Sequence, residues 1–271
     1  MSARNNQSSK SAARERVRQE RERQAKKDRV RRQLVVLGSA VVVLAIAGGV
    51  GFAVVQSNKP SHWEAMKDEK SVVAPKNTEG TDGTTVVLGK ADAKKTLEVY
   101  EDSRCPVCAS FEQTVGETVQ NGLDAGTFKI KYVGATFIDN SDNGTGSKNA
   151  LSALGAALNV SPEAFLQYKT ALYSAKFHPE ESSDKFAEDS YLIQVADSVN
   201  ALKGNTAFQQ DVRDGTYDAW AMKMSAAFDK SGVQGTPAFR MDGKALTAEG
   251  TENPPMTVAE FNSAVTKALK G

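Results

Sequence analysis

The chain has 271 residues and a net charge of +1, and its charged residues make up 25% of the sequence. This length exceeds one average domain, but the N-terminal end is unsuited to a globular core, so we expect one folded domain. The 2 cysteines, Cys105 and Cys108, stand three positions apart, which excludes a disulfide framework that spans the fold. Any thiol chemistry is therefore concentrated in one local motif.

The first 33 residues form a basic tail. They contain 12 Lys and Arg against 4 Asp and Glu, while the rest of the chain holds the other 22 basic and 29 acidic residues. A nucleic-acid-binding arm is one interpretation of this tail, but residues 11–33 contain no aromatic side chain that could stack on bases, and acidic residues are interleaved. We therefore expect a solvated segment attracted to anionic lipid headgroups, with no nucleic acid as a partner.

An apolar segment, residues 34–55, follows the tail and has no charged side chain. About 20 apolar residues suffice to cross a bilayer as a helix, so this segment is predicted to be a transmembrane helix. The excess of Lys and Arg before it places residues 1–33 in the cytoplasm. A cleavable signal peptide is the alternative, with Ala45-Ile46-Ala47 as its cleavage site. The long charged region and the continuing apolar stretch after this tripeptide favour an uncleaved anchor.

Residues 56–84 are predicted to be an extracytoplasmic linker. Many of them are polar, and prolines and glycines are spread among them, which is typical of a tether. The folded domain is then expected to comprise residues 85–271.

The two cysteines lie at a predicted strand-to-helix junction. Thr85–Leu88 and Thr96–Tyr100 are short runs of β-forming residues separated by a turn that contains glycine. After the second run, Cys105-Pro106-Val107-Cys108 opens a segment whose apolar residues suit a helix, and proline suits the first turn of a helix. The first cysteine is thus expected at the helix N-terminus and the second one turn further in.

The remaining sequence alternates between strands and helices. Apolar residues and lysines alternate over residues 128–132, which predicts a strand that completes a strand-helix-strand unit. The later predicted elements are helices in 147–173, with a helix start at Ser161-Pro162-Glu163, and in 184–230. Hairpin strands at 238–241 and 245–247 around Asp242-Gly243-Lys244 follow, and then a last helix from Thr257 to about Leu269. This order predicts an α/β fold with a mixed sheet.

The cysteine block resembles the opening block of the DsbA-like family, which has the thioredoxin fold. The residues that carry this resemblance are Gly89, Ala91, Val99, Tyr100, Asp102, Cys105, Pro106, Cys108 and Phe111. It implies an α/β thioredoxin-like fold with a central mixed sheet and a helical insertion, here preceded by one transmembrane helix. Gly235-Thr236-Pro237 stands where the family has its cis-proline, shortly before the terminal hairpin and helix.

The resemblance also implies a function. It predicts a membrane-anchored bacterial thiol-disulfide oxidoreductase whose domain lies outside the cytoplasmic membrane and exchanges disulfides with exported proteins. The redox-active disulfide of Cys105 and Cys108 needs no further cofactor, and a membrane redox partner is expected to restore it. Pro237 is expected to be cis and to lie across from Cys105, and the backbone of Thr236 to pair with an extended substrate segment.

Disulfide exchange needs a thiolate that attacks, a second thiol that resolves the mixed disulfide, and access for a substrate sulfur. The N-terminal end of a helix stabilises negative charge on Cys105, and Arg104 is expected to add to this effect. We therefore expect Cys105 to form the mixed disulfide and Cys108, the more buried thiol, to resolve it.

Two features leave the direction of electron transfer open. Thioredoxins carry a buried acid six residues before the first cysteine, where this chain has Val99, and the nearby Glu101 and Asp102 are interpreted as loop charges. Pro and Val separate the cysteines, without the histidine that strongly oxidising DsbA proteins have between theirs. Oxidation, isomerisation and reduction therefore all stay open.

Two other classes of protein are compatible with the cysteine pair. A zinc site would need both histidines, His62 and His178, beside the cysteines, although His178 is also typical of a helix end or a surface. A membrane-tethered binding module could keep the fold without the chemistry. Such a module has no need for two spaced thiols, because a disulfide that closes so short a loop stabilises a fold little.

Overall fold

The computed structural model of the protein describes residues 61–270. The predicted basic tail, the predicted transmembrane helix and the first residues of the predicted linker lie outside this range. Between residues 61 and 270, no helix is long and apolar enough to cross a membrane.

Five strands form one mixed sheet. They are β1 (Val86–Leu88), β2 (Thr96–Asp102), β3 (Lys129–Ala135), β4 (Ala238–Met241) and β5 (Lys244–Ala245). The strand order is β1-β3-β2-β4-β5, with β2 and β3 parallel and every other pair antiparallel. Parallel neighbours need a crossover connection, and the helix that begins beside the cysteines supplies it. The predicted central mixed sheet is confirmed.

Nine α-helices accompany this sheet in the described part of the chain. They are α1 (His62–Asp68), α2 (Pro106–Ala125), α3 (Ile138–Asp142), α4 (Gly146–Val160), α5 (Pro162–Tyr173), α6 (Asp189–Ala196), α7 (Thr206–Asp214), α8 (Asp218–Lys230) and α9 (Val258–Lys270). Helices α3 to α8 lie between β3 and β4 in the sequence and form the predicted helical insertion. Ser161 caps α5 as expected, because its hydroxyl accepts a hydrogen bond from the Ala164 amide at 3.0 Å.

The alanine-rich helix α4 anchors the insertion to the sheet. Small residues at its contacts allow close approach: a Cβ atom added to Gly155 of α4 would lie 2.9 Å from the ring of Trp220. A Cβ atom added to Gly134 of β3 would lie 2.4 Å from Leu151 Cδ1. Trp220 is fully buried in this packing. Close packing of this kind favours one fixed position of the insertion on the sheet.

Residues 61–84, which were predicted to belong to the linker, are part of the folded domain in the structure. From Ser61 onward the chain folds against the insertion: the Trp220 indole N–H donates to the Gly83 carbonyl at 2.8 Å, and the Asn77 side chain donates to the Leu158 carbonyl at 3.0 Å. His62 Nε2 lies 2.6 Å from an Asp218 carboxylate oxygen. Prolines and glycines indicated turns correctly, but contacts with distant helices leave no trace in local composition.

Candidate redox site

Cys105 is the N-terminal capping residue of α2. Its sulfur accepts a hydrogen bond from the Cys108 amide at 3.4 Å, and Pro106 occupies the first helical turn. Proline suits this position because the first amides of a helix have no partner within the helix. The two cysteines therefore lie one turn apart at the end of a helix where negative charge is stabilised. This is the placement that the sequence predicts.

The two thiols differ in their surroundings. Both are free thiols in this structure, with Cys105 5% exposed and Cys108 completely buried. Val107 between them is 47% exposed. A groove of about 490 Å³ lies beside Cys105, and its lining includes Val107, Thr236, Pro237 and Pro254. A substrate sulfur can therefore approach Cys105 more readily than Cys108.

The structure brings Thr236 and Pro237 to the reactive thiol. The peptide bond between them is cis, which confirms the expectation from the family resemblance. The Cys105 sulfur lies 3.5 Å from the Thr236 carbonyl oxygen, to which the thiol donates a hydrogen bond. The Thr236 hydroxyl is buried and has no hydrogen-bond partner within residues 61–270. It is thus available to donate to the sulfur once Cys105 is ionised.

Hydrogen bonding lowers the pKa of Cys105 to about 6 from its ordinary value of 9.0. The Cys108 thiol makes the largest contribution, and Thr236 and the amides of Cys108 and Val107 add to it, while burial acts in the opposite direction. A thiol with this pKa is mostly ionised at neutral pH, and the thiolate is the nucleophile in disulfide exchange. Cys105 is therefore suited to attack.

Burial has the opposite effect on Cys108. It raises the pKa of this thiol well above 9.0, and the charges of Cys105 and Glu101 raise it further. Cys108 therefore keeps its proton at neutral pH in the reduced protein. The predicted difference in burial between the two cysteines is present in the structure.

Glu101 is not the loop charge that the sequence indicates but part of a buried cluster. It lies in β2 with no exposed surface, and Lys169 of α5 contacts it at 3.1 Å. The same Lys169 amine contacts Glu112 of α2. Burial raises the pKa of Glu101, Lys169 lowers it and Glu112 raises it again. The run of β-forming residues in the sequence ends at Tyr100, so no local pattern indicates that Glu101 is buried.

Asp102 is also buried and holds the loop before Cys105. Its carboxylate accepts hydrogen bonds from the Arg104 amide at 3.0 Å, the Ile138 amide at 3.2 Å and the Ser147 hydroxyl at 2.6 Å. Burial raises the pKa of Asp102 to about 7, against the lowering effect of these donors. Its interpretation as a loop charge was wrong, because the strand continues to Asp102 and the insertion covers it.

Arg104, the residue before Cys105, is paired with carboxylates of the helical insertion. Its guanidinium is 1% exposed and forms ion pairs with Asp139 at 3.0 Å and Asp184 at 3.2 Å. Two carboxylates therefore compensate this positive charge. Arg104 instead connects the strand end to the helical insertion.

Two aromatic side chains complete the buried side of the site. The hydroxyls of Tyr132 and Tyr173 are buried and have no hydrogen-bond partner in residues 61–270, and Tyr173 packs in one cluster with both cysteines. His178, expected at a helix end or a surface, instead lies between the rings of Tyr173 and Phe186, at centroid distances of 5.9 Å and 6.0 Å. Burial lowers the pKa of His178. It therefore belongs to the packing behind the site.

The described part of the chain contains no set of side chains that could bind zinc as the alternative interpretation requires. No three side chains among His, Cys, Asp and Glu come together there in a way that could hold a metal ion. His62 is bound to Asp218, and His178 is enclosed by aromatic rings. Tetrahedral zinc would need both histidines beside the cysteines.

Known proteins share this architecture. Residues 81–267 match the family model described as thioredoxin. The chain is 24% identical over 186 residues to disulfide bond formation protein D of Bacillus subtilis, a match that covers 68% of this chain and 77% of that protein. Reduced DsbA of Mycobacterium tuberculosis superposes with a TM-score of 0.54 at 24% identity, covering 69% of this chain and 100% of that chain.

A third relative is MdbA of Actinomyces oris, described as a thiol-disulfide oxidoreductase. Its structure superposes with a TM-score of 0.58 at 18% identity and covers 77% of this chain and 96% of that chain. Together these likenesses confirm the predicted DsbA-like, thioredoxin-like α/β fold with its helical content.

Proposed function

The chain belongs to the thioredoxin family, as a DsbA-like thiol-disulfide oxidoreductase, and we propose that it exchanges disulfides with exported proteins through Cys105 and Cys108 while anchored in the cytoplasmic membrane. The observation that carries this proposal is the contrast between the two thiols. Cys105 has a pKa of about 6 beside an open groove, whereas Cys108 is completely buried and protonated.

The exchange proceeds in two steps, and each step breaks one disulfide bond and forms another. In the oxidising direction for the enzyme, the Cys105 thiolate attacks one sulfur of a substrate disulfide, and the other substrate sulfur leaves as a thiolate. Cys108 then loses its proton and attacks Cys105, which releases the second substrate thiolate and forms the Cys105–Cys108 disulfide. The reverse sequence oxidises a substrate dithiol and returns both cysteines to thiols.

Thr236 and Pro237 are proposed to hold the substrate during both steps. The Thr236 carbonyl oxygen accepts a hydrogen bond from the Cys105 thiol, and Thr236, Pro237 and Pro254 line the same groove. An extended cysteine-containing segment that lies in this groove can pair with the Thr236 backbone, as in other cases of strand addition. The exposed Val107 supplies apolar contact on the other side of the reactive sulfur.

The location is a proposal that rests on the sequence. Residues 34–55 are proposed to anchor the chain in a bacterial cytoplasmic membrane, with residues 1–33 in the cytoplasm and the domain outside. Substrates would then be exported proteins with thiols or disulfides. Because each turnover changes the redox state of the pair, a membrane redox partner is proposed to restore it.

Trapping of mixed disulfides tests this function. Full-length Cys108→Ala protein, produced in a bacterial cell, is expected to accumulate mixed disulfides through Cys105 that mass spectrometry identifies with exported proteins. A matched Cys105→Ala variant is expected to accumulate none, because the remaining thiol is buried. Cys108→Ala protein without such adducts would overturn the proposal and favour a binding module that does not use its thiols.

A further inference from the structure

A second cavity lies at the hairpin of β4 and β5, outside the groove beside Cys105. Its volume is about 390 Å³, which is within the usual range for binding pockets. It is lined by the hairpin, by the loop that follows it and by the second half of α9, including Ala264 and Ala268. The sulfur chemistry described so far does not use this cavity.

The lining of the cavity has an apolar part. Met241, Leu246 and Ala248 belong to it and are 3%, 4% and 8% exposed. The two alanines of α9 are partly buried and pack against the hydrophobic core. An apolar side chain that enters this space is removed from water, which favours its binding.

The charged part of the lining is basic. Lys95 and Asp242 form an ion pair at 3.0 Å and compensate each other. The other charged lining residues are Lys244, Lys267 and Glu249. The chain after residue 33 has 22 basic against 29 acidic residues, so this cavity is a basic site on an acidic body. Such a site favours a partner with negative charge next to its apolar group.

The cavity adjoins the groove beside Cys105. Ala245, Leu246 and Thr247 line both of them. Arg240, which pairs with Ala245, also lines the groove, and it follows Thr236 by four residues. An extended segment of four residues spans about 13 Å. A polypeptide that lies in the groove at Thr236 therefore reaches the cavity after about four residues.

Strand β5 offers a further reason to expect a polypeptide in this place. It lies at the edge of the sheet, both of its residues are exposed, and within residues 61–270 no strand pairs with its outer side. An edge strand presents backbone donors and acceptors to which an extended segment can pair. The shape of the site thus fits an extended chain that continues from the groove.

We propose that this cavity binds an apolar side chain of the substrate about four residues from the reacting cysteine, with a neighbouring acidic residue held by Lys244 and Lys267. This inference rests on the proposed function and names its substrate class: extended segments of exported proteins that carry an apolar and an acidic residue at this distance from a cysteine. Cys105 performs the exchange, and the cavity selects among the chains that present a cysteine to it.

Peptides whose cysteine is joined by a disulfide to thionitrobenzoate provide the test. They are mixed with the reduced, full-length protein in nanodiscs of zwitterionic lipid. The Cys105 thiolate attacks the peptide sulfur, and thionitrobenzoate leaves as a coloured thiolate whose absorbance gives the second-order rate constant. Cys108 then loses its proton and attacks Cys105, which releases the peptide as a thiolate.

The composition and the length of the peptide are varied. A peptide with leucine and glutamate at the fourth and fifth positions from its cysteine is expected to react about tenfold faster than one with two serines there, because the leucine is buried. Leucine and lysine should give a smaller increase. Peptides are extended on either side of the cysteine, and the increase is expected on one side. A peptide that ends two residues from its cysteine should react as the serine peptide does.

Lys267→Glu tests the basic part of the lining. It is expected to remove most of the advantage of glutamate over lysine in the peptide. Lys270→Glu is the matched control, because Lys270 lies on the same helix and is equally exposed but does not line the cavity. The shortest peptide is expected to react at the same rate with the parent protein and with both variants.

Two results would overturn this inference. One is an equal rate for all peptides with the parent protein, whether the cavity stays empty or holds lipid. The other is an equal effect of Lys267→Glu and Lys270→Glu, which would indicate the general charge of α9. A parent protein that releases no thionitrobenzoate even from the shortest peptide would instead contradict the proposed function.

Discussion

At the scale of single residues, Cys105 and Cys108 show how one helical turn separates two kinds of thiol. Cys105 caps the helix and receives hydrogen bonds, so ionisation is favourable there. Cys108 lies one turn deeper among apolar and acidic side chains, so ionisation is unfavourable. The same sequence motif thus provides a thiolate for attack and a protonated thiol for resolution.

The lowered pKa of Cys105 predicts how the stability of the reduced protein depends on pH. Unfolding returns the thiol from a pKa of about 6 to its ordinary value of 9.0. The resulting stabilisation is fully present above pH 9 and is lost as pH falls through 6; at pH 7 it amounts to about 1.4 kcal/mol. Urea unfolding of the reduced protein at several pH values measures it. Cys105→Ser protein, as the control, should lack this part of the pH dependence.

Thr236 is expected to contribute to the pKa of Cys105 through its hydroxyl. Thr236→Val keeps the shape of the side chain and removes the donor, so the pKa of Cys105 should rise from its value of about 6. The rate of alkylation against pH measures this shift. Thr247→Val changes a residue of the same groove and is expected to leave the pKa unchanged. An unchanged pKa in Thr236→Val would exclude this hydrogen bond.

At the scale of elements, most of the fold was predictable because strands and helices have local signals. The apolar alternation of β3, the Ser161-Pro162 start of α5 and the Asp242-Gly243 turn are all read from neighbours in the sequence. The cysteine pair was predictable for the same reason. Pro106, which directly follows Cys105, indicated where the helix starts, and the spacing of three residues indicated that Cys108 lies one turn further in.

Other features depend on contacts between distant elements, and the sequence did not reveal them. Glu101 and Asp102 follow the last clearly alternating residue of β2, so only the covering insertion shows that they are buried. Arg104 lies next to Cys105 in the chain, but its charge is compensated by Asp139 and Asp184 from the insertion. Tertiary contacts of this kind decide burial and charge, and local pattern does not record them.

The folding of residues 61–84 onto the insertion leads to a prediction of stability. Trp220→Phe removes the indole donor to the Gly83 carbonyl and is expected to lower the free energy of unfolding by about 1–3 kcal/mol. Denaturant unfolding measures the loss. Trp63→Phe makes the same change at a half-buried residue of α1 and should cost less. Equal losses in both variants would argue against a specific role for the contact to Gly83.

At the scale of the whole molecule, the chain combines a redox domain with a proposed membrane anchor. The described domain supplies the groove and the thiol pair, while residues 34–55 are proposed to anchor it in the membrane. We propose that the anchored domain meets exported proteins and a membrane redox partner at the same surface. The direction in which the protein exchanges disulfides then depends on the reduction potential of the Cys105–Cys108 pair.

The reduction potential of the Cys105–Cys108 pair tests the central claim most directly. Stabilisation of the Cys105 thiolate favours the reduced form, so equilibration with glutathione should give a potential above that of thioredoxin, about −270 mV, and below that of DsbA, about −120 mV. Mass spectrometry of the oxidised protein should show one disulfide within the pair. A pair that forms no disulfide in oxidised glutathione, or that is more reducing than thioredoxin, would contradict the account.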